Sequence, residues 1–258
     1  MSDTSAYTAR TALVTGAASG IGAACARWLD RQGIGRLVLV DRDRAGLDAL
    51  RLSCPVEAVV GDVAEEALWT GLDARLEGLD HAILNAGIAA GGAIADHSFE
   101  DWRRVMAVNL DGAFLSLRAA LGAMRRREPA EGRRGSIVLT ASVTGIRPVA
   151  GIGAYGVAKA GVAHMARIAA LEVAGEGIRV NAIAPGGVDT AIWESSADFR
   201  AGVERHGRDA TLQAMAATTP RGRFATPDEL AGEIGFLLSD AAANITGTVL
   251  VSDGGYSL

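Results

Sequence analysis

Three side chains in the second half of the chain have the types and spacing of a proton-transfer centre. They are Ser142, Tyr155 thirteen residues later, and Lys159 four further on, within A-Y-G-V-A-K. If that run is helical, positions i and i+4 share a face, so phenol and ammonium point into one site. A free tyrosine, with a pKa near 10, is a poor base at neutral pH. An ammonium about 5 Å away, at an effective dielectric near 20, favours the phenolate by roughly 3 kcal/mol, or about two pKa units. Tyr155 would then shuttle protons to and from a substrate oxygen. Lysine is otherwise absent, for the 25 basic residues are 24 arginines and Lys159. A compact ammonium approaches both a phenol ring and a ribose, and a planar guanidinium of higher pKa does not replace it equivalently.

A second group of residues concerns a cofactor. The run T-G-A-A-S-G-I-G, residues 15–22, follows a β-branched stretch and opens a helical one. Gly16 suits a tight turn, Gly20 a close backbone approach to a pyrophosphate, and Gly22 close helix–strand packing, with the phosphates at the helix N-terminus. The spacing is G-x-x-x-G-x-G, so by itself it leaves an ordinary glycine turn open. Asp41 falls 19 residues after Gly22, where an acidic side chain accepts the adenosine ribose hydroxyls. A carboxylate there repels a 2′-phosphate, so the expected cofactor is NAD and not NADP. Arg42 follows immediately and is either a solvated residue or a charge available to such a phosphate. Asp62 and Val63, after the third apolar run, have the placement of an adenine contact.

These residues need a frame. Short apolar, β-branched runs at 12–15, 36–41, 56–61, 81–85, 136–141, 179–184 and 248–252 predict strands. Helical patterns lie between them at 22–31, 44–52, 65–76, 99–108, 112–127, 155–174 and 227–239. The alternation calls for βαβ units in a doubly wound, parallel, seven-stranded sheet of Rossmann type. Residues 1–258 are expected to form one domain. Glycine makes up 33 of the 258 residues, against roughly 7% on average, which implies close backbone approaches. The weakly patterned stretch at about 189–220 predicts a mobile substrate lid.

With N-A-G at 85–87, Asn109, P-G-G-V-D-T at 185–190 and D-G-G-Y at 253–256 added, the chain resembles the short-chain dehydrogenase/reductase family. The resemblance runs from Thr11 to Tyr256 and departs at Leu84, where many members carry a second asparagine. It implies that Tyr155 exchanges the substrate hydroxyl proton, Ser142 hydrogen-bonds the reacting oxygen, Lys159 also holds the nicotinamide ribose, and Asn109 anchors a relay water. It further implies a cofactor-binding set of Gly16, Ser19, Gly20, Ile21, Gly22, Asp41, Arg42, Asp62, Val63, Asn85, Ala86, Gly87, Tyr155, Lys159, Pro185, Gly186, Val188 and Thr190. Val188 and Thr190 would meet the nicotinamide amide. Hydride transfer belongs to the cofactor, and the protein contributes orientation and proton management.

By the same analogy the substrate site includes Ser142, Thr144, Ile152, Tyr155, Ile192 and Trp193. Its small or apolar lining suits a moderately hydrophobic secondary alcohol or ketone. Arg147, Glu194 and Arg200 are nearby charges able to grip a carboxylate or polyol. Trp28, Trp69 and Trp102 lie in helical patterns and read as core. The apolar helices at 112–124 and 155–174 are too hydrophobic for solvated outer faces, and the resemblance implies a homotetramer built on them and on the C-terminal strand.

Composition narrows the alternatives. A net charge of −5 argues against nucleic-acid or anionic-membrane partners. Residues 1–10 lack the apolar core of a signal peptide and no uninterrupted apolar run reaches about 18 residues, so a soluble, cytoplasmic protein is expected. Cys25 and Cys54 form no disulfide or zinc pattern, and the four histidines show no ligand spacing, so no metal is expected. Two rival readings remain, an NADPH-dependent ketone or 3-oxoacyl reductase and a non-catalytic dinucleotide sensor or scaffold.

Overall fold

Runs of Val, Leu, Ile and Ala without polar interruption suit strands covered on both faces. In the computed structural model, which describes residues 7–130 and 132–258, seven mostly apolar runs pair into one parallel sheet, with polar residues such as Glu57, Asp80, His81, Arg179 and Asn181 inside β3, β4 and β6. The strands are β1 (Thr11–Thr15), β2 (Arg36–Asp41), β3 (Val56–Val60), β4 (Leu79–Leu84), β5 (Gly135–Thr140), β6 (Ile178–Pro185) and β7 (Val249–Ser252). Their order is β3-β2-β1-β4-β5-β6-β7, the Rossmann-type arrangement expected from the alternation. The order reverses between β1 and β4, which opens a crevice beyond their carboxyl ends. The glycine turn after β1 and the N-A-G turn after β4 both stand there.

The helices are α1 (Gly20–Arg31), α2 (Arg44–Ala49), α3 (Glu66–Leu72), α4 (Phe99–Met106), α5 (Gly112–Arg125), α6 (Gly153–Val173), α7 (Ala197–His206), α8 (Arg208–Ala216) and α9 (Pro227–Leu238). Strand residues alternate between two cores, as a period of two requires. Leu13, Val38, Ala82, Ile137 and Val180 pack with α5 and α6 residues such as Leu117, Met124, Val162 and Ala166. Val14, Leu37, Ile83, Val138 and Ile183 pack with Leu29, Leu230 and Ile234 of α1 and α9. Truncating a fully buried leucine such as Leu13 to alanine would cost about 2–5 kcal/mol.

Three differences from the sequence reading have local causes. The helix expected over 65–76 tightens after Leu72 into a 3₁₀ turn, Asp73–Leu76. The two helices expected at 99–108 and 112–127 are one continuous rod, joined by a π-helical turn over Ala107–Asp111 that contains Asn109. That rod is long and apolar enough by composition to cross a bilayer, but it packs on β4 and β5. The stretch 189–220 is largely helical. Ser196 caps α7 by accepting the Phe199 N–H at 3.4 Å, and Gly207, at φ +79°, separates α7 from α8. Only Phe199, Thr211, Leu212 and Ala216 of those two helices are buried, too few to make a clear period in the sequence.

Of the tryptophans read as core, Trp69 is buried, with its indole N–H donating to Val63 O at 2.9 Å. Trp28 packs at the core edge, edge-on to Tyr7. Trp102 is only half-buried and walls a cavity. Cys25 is buried and Cys54 half-buried. Burial pushes both thiols up to about 12, so neither is a nucleophile at neutral pH.

Candidate active site

Ser142 ends the β5 segment and caps the 3₁₀ turn Val143–Gly145. Its Oγ accepts the Thr144 N–H at 3.3 Å and the Thr144 hydroxyl at 3.0 Å. These donors leave the serine hydrogen free to be given away, and Ser142 is near enough to the Tyr155 phenol to pull its pKa down. Tyr155 and Lys159 stand one turn apart on α6, with Nζ 5.8 Å from the phenol ring centre. Lys159 is 4% exposed and donates to Thr140 O at 2.8 Å. The turn carrying Ser142 touches α6 closely, because a Cβ on Gly145 would lie 2.6 Å from Lys159 C and from Ala160 N. Backbone approach at Gly145 therefore fixes serine, tyrosine and lysine relative to one another.

The electrostatics correct one expectation. Burial raises the Tyr155 pKa, and the nearby Ser142 hydroxyl only partly opposes this. Burial also lowers Lys159 to about 8. In the protein alone, the loss of water outweighs the ammonium field invoked from spacing, because desolvation penalises phenolate and ammonium alike.

Asn109 is fully buried in the π turn. Its side chain accepts the Ile88 N–H at 3.2 Å and donates to Ile88 O at 2.9 Å and Val105 O at 3.1 Å. These three bonds tie the loop after N-A-G to the rod. A π turn also shifts the carbonyl pattern of a helix and recurs at functional sites. A Cβ on Gly87 would lie 2.6 Å from Asn109 Oδ1 and 3.3 Å from Lys159 Nζ, so Gly87 brings loop, asparagine and lysine together.

The cradle beyond β1 fits a dinucleotide. Gly16 adopts φ +65°, and a Cβ on Gly22 would sit 2.0 Å from Gly16 O. Ser19, at the N-cap of α1, makes no capping bond, and the first turn, with Ile21, holds no acid. The N-termini of α4 and α9, by contrast, have side-chain caps and acidic residues. The positive end of α1 is thus left for an external anion. Thr15 Oγ1 accepts the N–H groups of Asn85 and Ala86 at 3.0 and 3.1 Å, and Asn85 Nδ2 reaches Gly16 O at 3.4 Å. Across the crevice, a Cβ on Gly20 would meet Thr190 Cγ2 at 3.3 Å.

Asp41 ends β2 with its carboxylate fixed by the main chain, since Oδ2 accepts from Ala18 N at 2.9 Å and Oδ1 from Asp43 N at 3.0 Å. Arg42 leans toward Asp62, 3.5 Å away. Val63 turns its side chain into the core against Gly112. Pro185 closes β6, and Gly186 N–H bonds Ser252 O at 2.9 Å. Val188 is buried, and its carbonyl accepts the Trp193 indole N–H at 2.7 Å.

The expected substrate residues do not all converge. Thr144 bonds Ser142, and Ile152 bridges to Gly92 beside the start of α6. Trp193 instead stacks on Phe224, rings 5.3 Å apart at 15°, above Gly187, whose hydrogen leaves room for that ring. Ile192 is 38% exposed. Arg147 lies over the Tyr256 ring at 4.9 Å and bonds the Tyr256 carbonyl. Arg200 donates to Glu194 O at 2.6 Å. Gly145 and Phe224 escaped the sequence reading, as did the bonding role of Thr15 and the ring clearance at Gly187 within their motifs. Only the glycines carried a signal, in a composition rich in close approaches, while Thr140 contributes a carbonyl that any residue would supply.

Known proteins agree with this geometry. A family model described as enoyl-(acyl carrier protein) reductase matches residues 16–257. Cis-4-hydroxycyclohexanecarboxylate dehydrogenase of Sinomonas cyclohexanicum is 38% identical, covering 98% of both chains. 2,5-Dichloro-2,5-cyclohexadiene-1,4-diol dehydrogenase of Sphingobium indicum is also 38% identical, over 96% of this chain and 97% of its own. The crystal structure of a Burkholderia thailandensis oxidoreductase, titled as short chain dehydrogenase/reductase family, superposes with a TM-score of 0.83 at 36% identity, covering 96% and 93% of the two chains. Sheet order, glycine turn and near full-length similarity coincide, and the chain belongs to the short-chain dehydrogenase/reductase family of oxidoreductases, which move hydride between a nicotinamide dinucleotide and a secondary alcohol or ketone.

Proposed function

We propose that this protein oxidises a secondary hydroxyl on a six-membered carbon ring with NAD, using Tyr155 as the general base. The observation that carries the reading is the cluster in which Lys159 stands beside the Tyr155 phenol, Nζ 5.8 Å from the ring centre and held by Thr140 O, with the Ser142 hydroxyl near enough to pull the phenol pKa down. The ring substrate is supported by the two relatives named for cyclohexane and cyclohexadiene alcohols.

When bound, NAD supplies the hydride acceptor. Ser142, whose oxygen is already occupied by two Thr144 donors, gives its hydrogen to the reacting oxygen and orients the alcohol. Tyr155 Oη takes the hydroxyl proton as hydride leaves the carbon, and the charged form of Lys159 favours the phenolate that must be present beforehand. Asn109 holds the loop after Gly87 at the distance this requires. Asp41 accepts the ribose hydroxyls and repels a 2′-phosphate, while Arg42 is drawn toward Asp62. Val188 N–H and the Thr190 hydroxyl serve the nicotinamide amide, and 189–220 closes over substrate as a lid.

The protein acts as a homotetramer. Phe114, Val157, Ile168 and Leu171 on α5 and α6 are exposed, and so, on a separate face, are Phe236 of α9 and Val251 of β7. Two distinct apolar faces, each paired with its own copy, generate a closed tetramer. The free thiols Cys25 and Cys54 suit the reducing cytoplasm.

The test is NADH formation from a panel of cyclic alcohols, linear secondary alcohols and polyols, with NAD and then NADP, for wild type and Tyr155→Phe. Turnover with NAD on cyclic alcohols, falling at least about a hundredfold in the variant, is the expected outcome. Undiminished activity in Tyr155→Phe refutes the proton shuttle, and a preference for NADP refutes the role of Asp41. Cofactor binding without turnover on the panel points to the sensor reading.

A further inference from the structure

The residue two places after Ser142 offers the serine more than a backbone cap. Thr144 N–H donates to Ser142 Oγ at 3.3 Å, and the Thr144 hydroxyl stands 3.0 Å from the same oxygen. We infer that Thr144 is a positioning residue, whose hydroxyl fills the last acceptor place on Ser142 Oγ and so makes the serine act on substrate as a donor only. This rests on the proton-shuttle reading above and deepens it by naming the group that directs the Ser142 hydrogen.

Three observations support the assignment. A hydroxyl has one hydrogen to give and two lone pairs. The amide and hydroxyl of Thr144 take both lone pairs of Ser142, and among the described residues the Thr144 hydroxyl has no other partner. The cap itself does not need this second bond, since any residue with a backbone N–H provides the first. Other hydroxyl caps of this chain are built the opposite way. Ser98 accepts the Asp101 N–H at 3.0 Å and gives its own hydrogen to Asp101 Oδ2 at 2.9 Å. Thr226 accepts the Glu229 N–H at 3.2 Å and faces Glu229 Oε2 at 3.4 Å. A carboxylate only accepts, so it consumes the hydroxyl hydrogen, whereas at Ser142 the equivalent place holds a group able to donate. Thr144 is also seated firmly. Gly145 N–H bonds Ser142 O at 3.0 Å, and a Cβ on Gly156, the residue after Tyr155, would lie 3.3 Å from Thr144 O.

The consequence concerns where the alcohol sends its proton. To react, the alcohol must aim its hydrogen at the Tyr155 phenolate. A free lone pair on Ser142 Oγ would accept that hydrogen instead and hold the alcohol in an unreactive pose. Filling both lone pairs removes this pose. Donation into Oγ also polarises the serine O–H and strengthens the bond it gives to the reacting oxygen. Ser142 is buried, which limits water as a substitute donor.

The experiment follows NADH formation across pH for wild type, Thr144→Val, Thr144→Ser, Ser142→Ala and the double variant Thr144→Val/Ser142→Ala. Cyclohexanol, 1,4-cyclohexanediol and 2-butanol are offered, and constants are taken on the fastest, because the serine meets the reacting oxygen and not the rest of the substrate. Thr144→Val keeps the backbone bond and the shape, yet kcat should fall about three- to tenfold. KM should stay level or fall with it, because an unreactive pose adds binding, whereas a loosened site would raise KM. The acid limb of the kcat profile should move to higher pH, because a less firmly directed serine hydrogen favours the phenolate less. Thr144→Ser should restore both properties. In Ser142→Ala, itself slower by about a hundredfold, adding Thr144→Val should cost about twofold or less, because the hydroxyl acts only through the serine. Thr144 loses this role, with that of Ser142 standing, if Ser142→Ala is impaired and Thr144→Val costs nothing, or costs as much without the serine as with it. Full activity in Ser142→Ala overturns both roles together.

Discussion

The buried centre and the segment 189–220 are held by different kinds of contact. Ser142 is fixed by the Thr144 N–H, Lys159 by Thr140 O, Asn109 by the main chain of Ile88 and Val105, and Asp41 by the N–H groups of Ala18 and Asp43. In each case a side chain is locked to backbone inside or beside the sheet. The segment 189–220 has the Asp189 N–H bonded to Ala225 O at 2.9 Å at its start, and beyond it side-chain contacts, in the Trp193–Phe224 stack, the Arg208–Asp189 ion pair and the Trp193 indole bond to Val188 O. Backbone-held groups keep sub-ångström positions through a catalytic cycle, as proton transfer demands. Contacts between exposed side chains are weak enough to break and re-form if the segment closes over substrate as proposed.

The sharpest way to probe the rigid side of this contrast is Lys159→Met. Loss of the ammonium should lower kcat/KM by about a hundredfold or more, yet the same change should stabilise the fold at neutral pH. The sign follows from burial. Burial holds the native pKa down to about 8 from the ordinary lysine value of 10.5, so between those values the unfolded chain binds more protons and stability rises with pH. Below about pH 8 the full penalty of a buried ammonium is present. Methionine removes it, and after the lost bond to Thr140 O a gain of about 1–3 kcal/mol at pH 7 is expected. Urea unfolding of both proteins at pH 7 and pH 10 checks it, since the advantage of the variant should shrink as pH rises. An equal advantage at both values would contradict the buried charge.

A smaller effect is expected at the other backbone-held group. Asp41→Ser removes the carboxylate that faces a 2′-phosphate, and like charges in contact cost several kcal/mol. Steady-state kinetics should show the NADP-to-NAD ratio of kcat/KM rising by about ten- to a hundredfold. Arg42, 3.5 Å from Asp62, would have to swing away from that carboxylate to meet the phosphate. NAD use should fall as well, because one hydroxyl cannot hold both the Ala18 and Asp43 amides. A ratio that does not move would mean that Asp41 serves only the glycine turn.

The same contrast explains what could be read from the sequence. The sheet was legible because its strands are short, mostly apolar runs rich in Val, Leu and Ile between helical patterns, and Tyr155 and Lys159 because helical spacing places them on one face. Asp41 followed from its distance after Gly22. The π turn around Asn109 left no trace, since it differs from an α-helix by one shifted carbonyl in a rod of uniform pattern. The helices of 189–220 were read as a loop because they bury few residues and share a stretch of alanine and charge. Nor did spacing foresee that burial would raise Tyr155 and lower Lys159, because desolvation depends on residues gathered from β5, α6 and the π turn. Phe224 and Trp193 meet across thirty positions of chain, beyond the reach of any local period.

The mildest substitution addresses the proposed lid directly. Trp193→Phe keeps a ring to stack on Phe224 and loses only the indole N–H that holds Val188 O. A hydrogen bond of this kind is worth about 0.5–1.5 kcal/mol net, so KM should rise by roughly two- to tenfold, with kcat changing less because the proton-handling groups are tied elsewhere. The partner contact Arg208–Asp189 is solvent-exposed on both sides and should contribute less than about 1 kcal/mol, fading as salt screens it. Measuring KM for both cofactor and alcohol in Trp193→Phe at low and high ionic strength separates the two. A salt-independent rise confined to the alcohol identifies the indole bond as the lid tether. A large loss of kcat would instead place Trp193 with the rigid centre and erase the distinction between the two regions.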